Sequence, residues 1–140
     1  MIDRLVQLFV LIRRFEGCHL VPYVCPAGVW TCGWGSTGAD VFPGRPWTQE
    51  YADRRLELDA LRFARGVFAL CPNLTDAQLC ALADFAYNLG LGAFKASTLR
   101  RRALEGLWDA ARVELLRWVR GGGRVLRGLV LRRQAEAALL

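Results

Sequence analysis

The chain has 140 residues, 54% hydrophobic and 23% charged. That is one domain's length with ample material for a core, and it excludes a disordered chain. The net charge of +6 is unevenly placed: residues 1–94 carry eight basic and nine acidic side chains, residues 95–140 eleven basic and four acidic. A basic C-terminal part suits a polyanionic partner: nucleic acid, anionic lipid or an anionic cell wall. The five cysteines cannot all pair within one chain, and a single histidine without any C-x-x-C argues against a zinc site. The simpler reading is buried small residues plus one free thiol. The alternative is one bridge between two of Cys18, Cys32, Cys71 and Cys80.

Ile2, Leu5, Val6, Phe9, Ile12 and Phe15 recur at helical steps, which predicts an amphipathic helix over residues 2–16. Its apolar run Leu8–Ile12 is far short of the roughly 20 residues that span a bilayer. Charges flank that run and no small-residue cleavage site follows it, so synthesis as a soluble cytoplasmic protein without an export signal is expected. Gly17 is a natural terminator. It leaves Glu16 at a helix C-terminus, where the dipole disfavours a negative charge. Function or a nearby arginine must compensate.

Leu20–Val24 and Val29–Trp34 read as strands around a Cys25-Pro26-Ala27-Gly28 turn, with loops at residues 35–40 and 43–46. Thr48 is placed to cap a long helix from Gln49 to about Phe68, stopped by Pro72. Thr75-x-x-Gln78 is a capping-box pattern opening the helix that runs to Leu89-Gly90. Arg120-Gly121-Gly122-Gly123-Arg124 reads as a flexible basic loop between helices, or more sharply as a wall- or phosphate-contacting loop.

Eight residues separate Glu16 from Cys25, and five separate Cys25 from Thr31. With Gly33-Trp34-Gly35 after them, this spacing resembles the phage-type lysozymes, the endolysin muramidases of the T4 and P22 kind. Their motif is glutamate, then aspartate or in some members cysteine, then threonine. Ala81–Phe94, with its Phe85-Ala86-Tyr87-Asn88-Leu89-Gly90, resembles the second signature of that family, and Gly128-Leu129 with Arg132-Arg133-Gln134-Ala135-Glu136 resembles its closing helix.

The resemblance implies an α+β, mostly helical, lysozyme-like fold in one catalytic domain. A β-containing lobe is expected over about 17–47 and a helical lobe over about 72–140, with residues 1–16 packed on the latter. It implies cleavage of the β-1,4 bond between N-acetylmuramic acid and N-acetylglucosamine in peptidoglycan, by a monomer that needs no cofactor or metal and acts on the wall after release from the cytoplasm. Glycoside hydrolysis needs a proton for the leaving oxygen and help for positive charge at the sugar carbon. Glu16 is the expected acid, and must be protonated when it acts. Thr31 would hold water, and Cys25 would serve as thiolate or as a water-positioning thiol. Tyr87 and Asn88 are expected to contact saccharide, with Ser36 at the cleft edge. Asp40 is the alternative second carboxylate, and His19 reads as a surface residue.

Three rival classes follow from the same residues. A lysozyme-like wall-binding protein without catalysis would take Cys25 as the mark of loss. A nucleic-acid-binding helical domain or a membrane-disrupting basic C-terminal helix would use the arginine-rich end. Neither nucleic-acid binding nor stable membrane insertion explains the spacing from Glu16 to Thr31.

Overall fold

A computed structural model describes residues 1–140. A 3-10 turn (Ile2–Leu5) leads into α1 (Val6–Glu16), followed by the hairpin β1 (His19–Val24) and β2 (Trp30–Gly33). Then come α2 (Gln49–Leu70), α3 (Asp76–Leu89), α4 (Leu91–Ala96), α5 (Thr98–Leu104) and α6 (Trp108–Leu115). A second hairpin of β3 (Arg120–Gly121) and β4 (Arg124–Val125) precedes α7 (Arg127–Ala137). The chain is α+β and mostly helical, as expected.

The local signals read from the sequence act where they stand. In α1, Leu8, Phe9, Leu11 and Ile12 turn inward, and Gly17 ends the helix at φ +66°. Thr48 accepts the Tyr51 amide at 3.1 Å and caps α2. Thr75 and Gln78 exchange both bonds of the capping box at the start of α3, at 3.1 and 2.9 Å.

Helix α3 is the centre of the molecule. Residues Leu79 to Ala86 are all buried, because α1, α2, α4 and α7 pack around it. A helix enclosed on every side should be apolar all round, and Asp84 breaks that rule at 0% exposure. Its charge is matched from α7, where Arg132 Nε and Nη2 each donate to an Asp84 oxygen at 2.8 Å. The next residue, Arg133, forms a second buried pair with Glu136, Nε to Oε2 at 2.8 Å.

The first hairpin is antiparallel, pairing His19 with Gly33, Tyr23 with Thr31 and Val24 with Trp30, with a register irregularity between His19 and Tyr23. It rests on α2 through a small cluster of Cys32, Val41, Trp47 and Ala52. Gly33 is needed there. Its backbone is at φ +64°, and a Cβ would lie 2.9 Å from the Trp47 ring.

Two expectations change, and the cysteines follow the simpler of their two readings. The segment Arg120–Arg124 is a tight β-hairpin, not a flexible loop, since Gly122 and Gly123 take φ of +58° and +78° and so allow the two-residue turn that matches strand twist. Helix α7 presents less basic surface than its sequence implies: Arg132 and Arg133 are 3% and 0% exposed and are paired inward with acidic partners, which leaves Arg127 as its exposed cation. No helix is long and apolar enough to cross a membrane. All five cysteines are unpaired, with Cys32, Cys71 and Cys80 buried and Cys18 and Cys25 partly exposed.

Removing the guanidinium of Arg132 strands Asp84 in the core. Arg132→Met is expected to lower unfolding free energy by about 3–5 kcal/mol, measured by urea denaturation followed by circular dichroism.

Candidate active site

A cleft of about 520 Å³ opens between the first hairpin and the helices. Helix α1 ends in it with Glu16; the hairpin lines it with Tyr23, Cys25 and Thr31; α2 contributes Asp59, Arg62 and Phe63; and α3 contributes Tyr87 and Asn88. Glu16, Cys25, Thr31, Tyr87 and Asn88, all picked out in the sequence, therefore meet in one cavity. The size is that of a small-ligand site.

Glu16 is held from behind and beside. Arg132 Nη1 donates to its Oε1 at 2.8 Å, which supplies the arginine that a carboxylate at a helix C-terminus calls for. Burial works against the charge of Arg132, but Asp84 and then Glu16 outweigh it and keep the guanidinium ionised. The second oxygen, Oε2, takes no hydrogen bond from the protein and faces Gly35. A Cβ at Gly35 would lie 2.9 Å from it, and Gly35 sits at φ +90°. Oε2 is the oxygen left to carry and deliver a proton.

Cys25 opens the hairpin turn, which is closed by Gly28 N–H donating to the Cys25 carbonyl at 2.8 Å and Cys25 N–H donating to the Val29 carbonyl at 2.9 Å. The Val29 amide is the largest influence and, with the Ala27 amide and the Thr31 hydroxyl, holds the Cys25 thiol below its usual range against some desolvation. The Cys25 thiol is thus more acidic than an ordinary cysteine. Thr31 is nearly buried and its hydroxyl donates to the Val29 carbonyl at 3.0 Å. A hydroxyl has one proton, so it serves either that carbonyl or the sulfur, and it keeps lone pairs for a water.

The Tyr87 ring packs on Phe63, centroids 5.3 Å apart. Its hydroxyl donates to the Trp34 carbonyl at 2.7 Å, and burial, with the charges of Asp59 and Glu16, pushes its ionisation upward. Tyr87 therefore offers the cleft a ring face rather than a phenolate. The Asn88 Oδ1 accepts from Arg133 Nη2 at 2.7 Å.

Two sequence expectations are corrected. Ser36 is not at the cleft edge: it is 2% exposed, and its hydroxyl donates to Asp59 Oδ2 at 2.7 Å beneath the cleft. Asp40 is not a second acid in the cavity. Some burial opposes its charge, but the Tyr51 hydroxyl, at 2.6 Å, and Arg55 bind it away from the cleft and hold it below the usual carboxylate range. His19 is exposed, edge-on to the Tyr23 ring with centroids 5.0 Å apart. No group of three or more His, Cys, Asp or Glu side chains converges as a metal would require.

The sequence reading missed Arg132, Asp84 and Asp59. Only the misplaced charge of Glu16 signalled a cationic partner, and nothing in the chain says which of eighteen arginines it is.

Gly35→Ala is expected to push Glu16 off its position and cost any reaction that uses its proton roughly a hundredfold. Circular dichroism and thermal unfolding should show the fold retained. Iodoacetamide, which attacks the thiolate, is expected to label Cys25 well ahead of Cys32, Cys71 and Cys80, whose thiols burial pushes up. The Cys25 rate should climb with rising pH to a midpoint below that of a free cysteine at about 8.5, as read by peptide mass mapping.

Residues 13–136 match the family described as phage lysozyme. The chain is 38% identical over 139 residues to the endolysin of Acyrthosiphon pisum secondary endosymbiont phage 1, covering 93% of this chain and 92% of that protein. It is 40% identical over 132 residues to the endolysin of Bacillus phage B103, covering 92% of this chain; it spans 50% of that relative's length, and 51% of a second Bacillus phage endolysin. The muramidase domain of SpmX from Asticcacaulis excentricus has the same fold, with a TM-score of 0.86 at 33% identity and 96% and 94% of the two chains covered. Sequence, fold and cleft agree: the chain belongs to the phage lysozyme family.

Proposed function

We propose that the chain is a muramidase, a peptidoglycan hydrolase that cuts the β-1,4 bond between N-acetylmuramic acid and N-acetylglucosamine and so lyses bacterial cells. The observation that carries this reading is the carboxylate of Glu16, fixed by Arg132 in a cleft that also holds Cys25 and Thr31. Relatives named as endolysins and a neighbour named as a muramidase domain support it. All 140 residues are read as one catalytic domain, working as a monomer on the wall after release from the cytoplasm in which it is made.

Glu16 delivers a proton from Oε2 to the leaving glycosidic oxygen while Arg132 steadies Oε1. Positive charge then develops at the sugar carbon. The Cys25 thiolate, held by the Val29 and Ala27 amides, supplies negative charge on the hairpin side of the cleft. Thr31, beside it, has lone pairs with which to hold the attacking water. Tyr87 and Phe63 give apolar faces for sugar rings, and Asn88 gives a polar contact. A binding protein without catalysis is the second reading, motivated by a thiol where a carboxylate is commoner.

Purified peptidoglycan treated with wild type, Glu16→Gln, Cys25→Ser and Cys25→Asp separates these readings, with new reducing ends assigned by mass spectrometry. Wild type is expected to release ends at muramic acid, and Glu16→Gln to lose at least about a hundredfold, the scale of general-acid catalysis. Cys25→Ser should fall and Cys25→Asp recover, because the anionic group is what the site requires. Absence of cleavage by wild type, with peptidoglycan still bound, would leave the non-catalytic reading.

A further inference from the structure

Fourteen residues line the main cleft, and Arg62 is the only cation among them. It stands on α2, one turn after Asp59, with its side chain 63% exposed. The chemistry above makes no use of it. Its nearest acidic oxygen is Asp59 Oδ1 at 3.9 Å, too far for a hydrogen bond. Asp59 has closer partners: Ser36 donates to its Oδ2 at 2.7 Å, and Arg55 Nη2, on a largely buried side chain, lies 3.6 Å from Oδ1. A long pair with one partner in solvent adds little, so the needs of Asp59 do not account for Arg62.

The Arg62 guanidinium is nonetheless held in place. It lies 4.4 Å from the centroid of the Phe63 ring, and that ring packs on Tyr87. Stacking on an aromatic face leaves the N–H groups at the edge of the guanidinium free. Those groups form the planar fork that matches a carboxylate. The other charged side chains of the cleft, Glu16 and Asp59, are acids. An anionic group entering the cleft therefore meets one attractive charge, and it is on the α2 wall.

We infer that Arg62 is a specificity-determining residue that takes a carboxylate borne by the glycan strand. This rests on the peptidoglycan reading of the cleft. It adds a reason for such a site to choose a muramoyl strand over an uncharged polymer of N-acetylglucosamine. Two parts of that substrate carry the group: the lactyl substituent of muramic acid where no peptide is attached, and the free carboxylates of an attached peptide.

Titration calorimetry with three tetrasaccharides of alternating N-acetylglucosamine and N-acetylmuramic acid tests the assignment. One has free lactyl carboxylates, one has them converted to uncharged carboxamides, and one bears peptides on them. Glu16→Gln serves as the parent protein, so that no probe is cut. It is expected to bind a carboxylate probe roughly tenfold more tightly than the carboxamide, near the lower end of what a hydrogen bond to a charged group contributes. The advantage should shrink at high salt, because Arg62 is exposed. Arg62→Gln in the same parent should bring the carboxylate probe down to the level of the carboxamide, and Arg62→Lys should keep part of the advantage. A merely structural effect of the substitution would weaken all three probes alike and leave their ratios in place. The source of the carboxylate is the probe whose advantage depends on Arg62.

Equal binding of all three probes by the parent, or an advantage that survives Arg62→Gln, overturns the inference. The muramidase reading is decided separately, by whether wild type releases reducing ends at muramic acid. A carboxylate preference without that release leaves Arg62 as the recognition residue of a binding protein. Release without the preference removes only the role of Arg62.

Discussion

The structure turns on one guanidinium. Arg132 sits between Asp84, in the middle of the enclosed helix α3, and Glu16, at the end of α1, and donates to both carboxylates at 2.8 Å. Three helices far apart in the chain are thereby tied at the point where the cleft begins. Apolar packing could hold these helices as firmly, since a buried ion pair is weak evidence of net stabilisation. It could not set the direction of the Glu16 carboxyl. The bidentate hold on Asp84 fixes the plane of the arginine, and the remaining Nη1 then fixes one oxygen of Glu16. Gly35 closes the opposite side, where a methyl group would already collide.

The hairpin acts on something different, the acidity of a thiol. A cysteine of ordinary acidity is mostly neutral at pH 7, and an exposed one gains little from its surroundings. Here the Val29 and Ala27 amides favour the charged form of the sulfur, as a helix N-terminus or a nest does for other anions. The same local backbone that forms the β-turn thus makes the sulfur more acidic. A chain with aspartate at this position would need less from the turn.

How much was legible in advance depended on range. Contacts between near neighbours were readable: Thr48, Thr75 with Gln78, Gly17, and the strands on either side of Cys25 all do what their types and spacing imply. The positions of Glu16, Cys25 and Thr31 were readable because the hairpin that joins them is local. Ser36 was misplaced because a hydroxyl next to a glycine reads as loop surface, and nothing nearby announces that Asp59 will draw it under the cleft. Asp40 looked available because Arg55, its partner, lies on a helix whose orientation toward the loop is a tertiary fact. Arg132 and Arg133 looked like surface charge for the same reason, although most other basic residues near the C-terminus are exposed. The partners of Arg132, Glu16 and Asp84, come from much earlier segments, and composition counts charges without showing which are already paired. The three glycines after Arg120 were misread as slack, although two of them supply the positive φ that a rigid turn requires.

The grip of α7 on α1 also bears on the order of events during synthesis. Of these elements the ribosome delivers α1 and the hairpin first and α7 last. Until α7 docks, Glu16 has no Arg132 and Asn88 has no Arg133, while Asp84 has no counter-charge and resists burial in α3. A nascent chain can therefore carry nearly every residue of the cleft and still lack its arrangement. That arrangement arrives with α7, which makes the cleft a feature of the folded whole rather than of any early segment.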